Sequence, residues 1–416
     1  MITWFAGSVV RYEGKKFLGF TGDVDLSRIA AEGVTRGNRV SLYIHIPFCR
    51  TLCPFCCFNR YLFREDLARS YFADLRKEVD MYAALGFKFN DFYFGGGTPT
   101  VLMDELSSFI AYLGSKFEVK RISLETTPRE LTPETIAQLQ ESGINRLSVG
   151  VQSFDNTLLK AMGRTLFKGE DSIEKLRLAQ GKFDTVNVDL MFNFPTQTMD
   201  QFKSDLRIFK ELGSDQATFY PLMPSPHKLD ALTRKFRRVD TSREKQFYAI
   251  LLRELLDTGY KASTAWCFSR GDLMIDEYII DYDDYIGVGA GSVSFLGGDF
   301  LVNSFSLDGY HNLIAEGKLP VVRMRRLSDT EHYRYYMLTR FFGMGLNTMQ
   351  FKQRFGADIH LKLWAELLFF KTAGVVKEHD GLISVTRNGM YPVGTMMKEF
   401  FASLNTLREY CIESGI

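Results

Sequence analysis

An excess of charge of either sign is missing from this 416-residue chain: 51 Lys and Arg face 50 Asp and Glu, a formal net charge of +1. That balance excludes the broad basic footprint of a nucleic-acid binder and leaves only local patches to consider. No nucleic-acid partner is expected. Long hydrophobic runs are missing too, since no apolar stretch approaches the roughly 18 residues that span a bilayer. The opening MITWFAGSVVRYEGKK has neither a basic leading region nor a continuous apolar segment. A secretory signal is therefore not expected, and the cytoplasm is the expected compartment. Solenoid-period repeats and low-complexity tracts are absent. Cysteines are few, six in all, yet Cys49, Cys53, Cys56 and Cys57 crowd together while Cys267 and Cys411 stand far downstream. A disulfide framework would spread them, so a tight group in a reducing compartment reads as a metal or redox site.

What is present is a globular composition, 45% hydrophobic and 24% charged, with ample length for a large core and an appended domain. Residues 1–40 show no sustained period and read as a lead-in that packs on the rest. From Ser41 the text becomes rhythmic. SLYIHIP, DFYFGGGTP, RISLETTP, RLSVGVQSF, TVNVDLMFNFP and QATFYPL read as strands, and YFADLRKEVDMYAALG, LMDELSSFIAYLGSKF, PETIAQLQESG and MDQFKSDLRIFKELG read as helices. Six strands, most followed by a helix, predict parallel βαβ units with right-handed crossovers and hence an α/β barrel or partial barrel over 41–295. In such barrels the loops after the strands form the active face. Those ends carry the cysteines, Gly95, Gly96, Gly97, Glu125, Gln152 and Asp189. Residues 296–416 read as a smaller, mostly helical domain: KLPVVRMRRLSDTEHYRYYMLTRFFG and FKQRFGADIHLKLWAELLFF look helical, and GLISVTRNGMYP looks like a hairpin or wing.

Cys49, Cys53 and Cys56 form C-x3-C-x2-C in a loop restrained by Pro47 and Pro54. Three thiolates at that spacing can each ligate one iron of a [4Fe–4S] cluster and leave the fourth iron open for a ligand. A ferredoxin would use four cysteines, and structural zinc normally has a second cysteine pair or histidines. Cys57 is either a fourth ligand or a residue facing away, because neighbours in an extended loop point apart. Gly95–Gly97 admit close backbone approach, or simply make a turn.

YIHIPFCRTLCPFC, FGGGTP, LETTPREL, NRLSVGVQSFD and VNVDLMFNFPTQT, in that order, resemble the radical S-adenosylmethionine (SAM) enzymes related to oxygen-independent coproporphyrinogen III oxidase. The likeness runs from about Ser41 to Phe295. It implies a partial (β/α)6 TIM-like barrel. It also implies a cluster on Cys49, Cys53 and Cys56, and a SAM site built from Phe55, Gly95, Gly96, Gly97, Thr98, Glu125, Gln152, Arg164 and Asp189. In the family the open iron chelates SAM, and electron transfer yields a 5′-deoxyadenosyl radical. An electron donor such as flavodoxin or ferredoxin is implied as partner. Arg164 suits the SAM carboxylate, Gln152 and Asp189 the ribose, and Glu125 the ammonium or ribose hydroxyls. Tyr43 and His45 flank the cluster strand as candidate catalytic residues; His45 steers cluster or substrate electrostatics, or is a satisfied core histidine.

The chain departs from the oxidase it resembles, which carries Cys-Gly-Cys where Cys56-Cys57-Phe58 stands here, and it lacks that enzyme's N-terminal tetrapyrrole-binding motif. The CPFCCFNRY segment is similar to class C radical SAM methyltransferases. This implies two SAM molecules and methylation of an sp2 carbon of a flat acceptor, with menaquinone expected. A tetrapyrrole enzyme, either oxidase-like or a haem-opening methyltransferase, is the alternative, and a haem chaperone the non-enzyme rival. RKFRR at 234–238 and VRMRR at 322–326 read as solvated helix faces or as contacts to anionic lipid that would bring the protein to a membrane surface.

Overall fold

The computed structural model describes residues 19–22, 24, 27–29, 31, 40–223, 226–236, 240–271 and 283–416. Most of the 1–40 lead-in, and Arg237 and Arg238 of the first basic cluster, lie outside them.

Six strands alternate with helices as the period of the sequence predicts. In chain order they are β1 (Ser41–Ile46), α1 (Glu65–Ala84), β2 (Asp91–Gly96), α2 (Met103–Lys116), β3 (Arg121–Thr126), α3 (Pro133–Glu141), β4 (Arg146–Gln152), α4 (Gly169–Ala179), β5 (Thr185–Phe192), α5 (Met199–Leu212) and β6 (Gln216–Pro221). β1 to β6 lie side by side in sequence order and pair in parallel. Leu147, Val149 and Val151 of β4 and Val186, Val188 and Leu190 of β5 are buried in the main core. The alternate positions on the same strands are Arg146, Ser148 and Gln152, and Asn187 and Asp189. Because successive side chains point to opposite faces, one face packs beneath the helices and the other forms a polar concave wall.

The sheet does not end with these six strands. β7 (Tyr285–Val288) adds in parallel to β1, and β8 (Val293–Leu296), β9 (Asp299–Asn303) and β10 (Val321–Arg326) continue it antiparallel. Hydrogen bonding thus carries the sheet past residue 295. The VRMRR segment is strand, not helix. Arg326 pairs with Asp299 across the ladder, and Arg325 pairs with Glu331; alternating Val, Met and Arg suits an edge ladder whose partner lies some 20 residues away. Thr21, from the lead-in, bridges to Met324 of the same strand.

The remainder is helical with a small sheet. α6 (Asp329–Phe342) starts with a capping box between Ser328 and Glu331. Gly345–Asn347, Val376–His379 and Leu382–Val385 form a three-stranded antiparallel sheet, the wing that GLISV suggests. α7 (Arg387–Glu413) then runs back over the barrel. Phe401 stacks near Trp266, Phe400 lies against Phe300 and Tyr335, and Leu407 and Cys411 pack with Val302 and Phe305. No helix among the described residues is long and apolar enough to cross a membrane.

Candidate active site

β1 brings Tyr43 and His45 to one face of the strand, two residues apart. His45 Nε2 lies 2.9 Å from the carbonyl oxygen of Asn59, and Nδ1 lies 2.9 Å from the Tyr43 hydroxyl. A carbonyl only accepts, so Nε2 carries the proton and Tyr43 donates to Nδ1. Burial pushes the His45 pKa down to about 4, so the ring is neutral near pH 7. The Asn59 side chain donates in turn to the carbonyls of Ala290 and Phe305, 3.0 Å each, which fixes the end of the cysteine loop to the segments after β7 and β9.

The glycines of β2 are required by protein contacts rather than by open space. Gly96 has φ +110°, and a Cβ there would lie 2.6 Å from the His45 ring; at Gly97 it would lie 2.6 Å from the Phe48 carbonyl oxygen. The strand end therefore packs directly on His45 and on the backbone leading to Cys49. Gly96 N–H donates to Glu125 at 3.1 Å and Tyr93 hydroxyl donates to it at 3.0 Å. Gly95 sits against both Glu125 and Tyr43.

Cys49 ends a two-residue strand paired with Tyr61–Leu62. The Thr98 hydroxyl, 3.6 Å from Cys49 Sγ, and the Arg164 guanidinium, 3.8 Å from Cys53 Sγ, both donate toward sulfur. Arg60 donates to the carbonyls of Cys53 (2.9 Å) and Cys56 (3.1 Å), holding the loop from inside. Phe55 is buried with Phe194, Leu158 and Met191, which seats the loop on the barrel rim. Cys57 points elsewhere: its thiol donates to the Met223 carbonyl at 3.1 Å, after β6.

Gln152 closes β4 at a bulge and has φ +75°, a left-handed conformation that a side chain other than glycine adopts at a cost. Arg164 donates to the Gly150 carbonyl at 2.5 Å, next to it. Gly150 lies opposite Asp189 in the register, and Asp189 accepts from Ser148 (2.9 Å) and Asn187 (2.7 Å). Asn187 also donates to Ser148 and accepts from Thr218. Deeper still, Arg146 donates twice to Gln216, which donates to Ser269. The expected residues thus converge on one rim. Sequence reading missed the supports: Arg60, Tyr93, Ser148, Asn187, Thr218 and Gln216. For Ser148, Asn187, Thr218 and Gln216 the signal was polar residues at every second position of strands read simply as apolar; Arg60 lies in the loop before Tyr61 and Tyr93 on β2.

The residues fit an anionic cofactor set. Arg60 and Arg164 each bury an Nε with no hydrogen-bond partner, and neither shows a carboxylate partner among the described residues. Two uncompensated guanidinium groups beside three thiols suit a thiolate-bound cluster and a carboxylate ligand. Cys49, whose pKa burial raises to about 11, is costly to ionise until positive iron binds it. Among the described residues no three His, Cys, Asp or Glu side chains form a group for a single metal ion.

A family profile described as the radical SAM superfamily matches residues 43–209. The haem chaperone HemW of Bacillus subtilis is 26% identical over 84% of this chain and 96% of its own length. The haem chaperone HemW of Lactococcus lactis is 30% identical over 62% of this chain and 70% of its own. Coproporphyrinogen III oxidase (HemN) from Escherichia coli, described as a radical SAM enzyme, superposes with a TM-score of 0.77 and 25% identity, covering 92% of this chain and 95% of that one. The quinone-methylating subtype does not figure among these relatives. The cysteine loop, the polar rim and these likenesses together place the chain in the radical SAM superfamily, within its HemN- and HemW-type group, whose cofactors are a [4Fe–4S] cluster and SAM.

Proposed function

We propose that this chain is a radical SAM enzyme that acts on a tetrapyrrole. The observation that carries the reading is that Arg60 and Arg164, beside Cys53 and Cys56, meet only carbonyls and sulfur, leave a buried Nε unpartnered, and show no carboxylate partner among the described residues, so that anionic ligands are what would balance them. In this reading the three thiolates hold three irons, and Arg164 takes the SAM carboxylate. Glu125 and the Gly95–Thr98 segment take its ammonium end, and Gln152 and Asp189 its ribose. Cluster and SAM, when bound, supply one-electron abstraction of a hydrogen atom. The chain's own residues bind, orient and exclude water. Asp189 is held for its ligand by Ser148 and Asn187, and Tyr43 keeps its hydroxyl proton directed at neutral His45. The tetrapyrrole assignment rests on relatives whose names specify haem or coproporphyrinogen.

A second reading has a specific observation behind it. Phe58 stands where the oxidase-type cysteine is expected, half exposed, and Cys57 is turned away; this favours a reaction other than the oxidase's, namely methyl transfer from a second SAM to an sp2 carbon of a quinone such as menaquinone. One experiment separates the readings: anaerobic turnover of reconstituted protein with dithionite, methyl-labelled SAM and either coproporphyrinogen III or reduced menaquinone. Carbon dioxide release or label on the macrocycle supports the tetrapyrrole reading. Label on the quinone with S-adenosylhomocysteine overturns it in favour of the second. Tight haem capture without SAM cleavage overturns both in favour of a chaperone. A flavodoxin or ferredoxin is the proposed physiological electron donor.

A further inference from the structure

A third guanidinium, Arg408, stands beside the cysteine loop, outside the set assigned above to the cluster and the first SAM. Arg408 belongs to α7, some 350 residues downstream of the cysteine loop. Its helix is anchored there by Asn405, which donates to the Met223 carbonyl at 2.9 Å, and by Leu407 and Cys411 against Val302 and Phe305. Arg408 lies deep in the fold, yet the side chain keeps some accessible surface, as expected of a residue lining a cleft. Its guanidinium sits 5.7 Å from the centroid of the Phe58 ring, within electrostatic range of Cys56, Cys57 and Tyr43. Nη1 donates to Asn405 Oδ1 at 2.8 Å. Nε is buried without a partner, and no carboxylate pairs with the group among the described residues.

A buried cation without an anion costs several kcal/mol of desolvation that the fold leaves uncompensated. Arg60 and Arg164 have the cysteine loop and the first SAM to answer them. Arg408 stacks on Phe58, feels the charge of Arg60, and enters from the C-terminal helix rather than from the barrel.

We propose that Arg408 binds a carboxylate of the molecule that lies in the barrel mouth beside the first SAM. Carboxylate suits the planar fork of a guanidinium. Two sources offer it: a propionate of a tetrapyrrole, or the amino-acid carboxylate of a second SAM. The inference rests on the radical SAM reading but not on the choice between macrocycle and quinone.

The test uses the full-length, cluster-loaded protein and its Arg408→Gln and Arg408→Lys variants. Coproporphyrin III and its tetramethyl ester are titrated by fluorescence, SAM stoichiometry and affinity are measured by equilibrium dialysis, and iron is counted. The expected result is that Arg408→Gln loses about tenfold to a hundredfold in affinity for either the free-acid porphyrin or the second SAM equivalent. Arg408→Lys recovers part of the loss, and iron content, the first SAM equivalent and ester binding match the parent protein. Loss confined to the free acid assigns the carboxylate to the macrocycle; loss of the second SAM equivalent assigns it to SAM. The proposal is overturned if the ester weakens equally, if iron is lost, if nothing changes, or if the parent protein binds neither ligand. A parent protein that fails to hold iron and the first SAM overturns the radical SAM reading itself, and that is seen before any porphyrin is added.

Discussion

Gln152 offers a way to separate a ligand-binding role from a structural one at a single position. Its backbone is left-handed, φ +75°, at the β4 bulge. Such a conformation costs an L-residue about 1–2 kcal/mol, and glycine avoids that cost. Glycine also loses more chain entropy on folding, about 0.5–1 kcal/mol relative to alanine. Gln152→Gly is therefore expected to be more stable than Gln152→Ala by about 0.5–1 kcal/mol, although it removes more atoms. Both variants delete the same amide, so both are expected to weaken SAM binding alike, by about 1–3 kcal/mol, the typical cost of losing one buried polar partner. Urea midpoints of the apo proteins read the first difference, and equilibrium dialysis of SAM with the cluster intact reads the second. The pairing matters because a mere packing defect would make stability and affinity track each other, whereas here the two variants differ in stability and match in affinity. Equal stability of the Gly and Ala variants would show that the backbone is not strained. Unchanged SAM affinity in both would remove Gln152 from the cofactor site.

Three further outcomes are expected. Cys49→Ala, Cys53→Ala and Cys56→Ala should each lose the cluster on anaerobic reconstitution, while Cys57→Ala, whose thiol meets the Met223 carbonyl, should keep full iron content and the visible absorption of the cluster. Asn187→Leu should cut the support beneath Asp189 and weaken SAM by about tenfold with iron unchanged; an unaltered dissociation constant would show that Asp189 needs no such orientation. Burial raises the Glu78 pKa from 4.5 to about 7 despite donors from Tyr310, Gly289 and Asn303. The folded state thus holds that proton more tightly than the unfolded chain, and Glu78's contribution to stability is present at low pH and falls as pH rises from about 4.5 to 7, on the order of 3 kcal/mol in all. Glu78→Gln should remove this slope, read as the difference in urea midpoint from the parent protein at each pH. That subtraction also cancels the opposite slope of His45, whose pKa is lowered to about 4.

The strands of the barrel were legible as short apolar runs, most followed by a helix, and their partners are sequence neighbours in the sheet. The Val321–Arg326 strand was not. Its arginines looked like a charged helix face, and only pairing with Asp299–Asn303 and the Arg326–Asp299 ion pair makes it a strand. The cysteine group stood out by its spacing and Asp189 by its place at a strand end; their roles as ligands came from the resemblance and are proposals. The glycine run was legible as a place of close approach, but what approaches is the His45 ring and the Phe48 backbone, a contact between strands that spacing alone does not encode. Ser148, Asn187 and Thr218 escaped notice because each is an ordinary strand residue in isolation; their meaning comes from the register that lines them up beneath Asp189.

The charges around the rim complete the argument, because they connect the folding of the C-terminal segment to the chemistry of the barrel. Arg60 lies four residues after Cys56 and three after Cys57, and Arg164 follows the strand end at Gln152, so both belong to the barrel by sequence. Arg408 does not, and it reaches the rim only because Asn405 and Leu407 dock α7 on the loops after β6 and β9. Each of the three has a buried Nε without a partner, and Coulomb repulsion among buried like charges makes the empty site unfavourable in proportion to how dry it is. Anionic ligands reverse the sign of that term. Loading the cluster and its companions should therefore stabilise the docking of α7 as well as the cysteine loop, through linkage between binding and folding. On this view the C-terminal helix is part of the binding site, and a barrel truncated before Arg387 would keep the motifs that identify the family while losing the one cation of the three that this helix supplies.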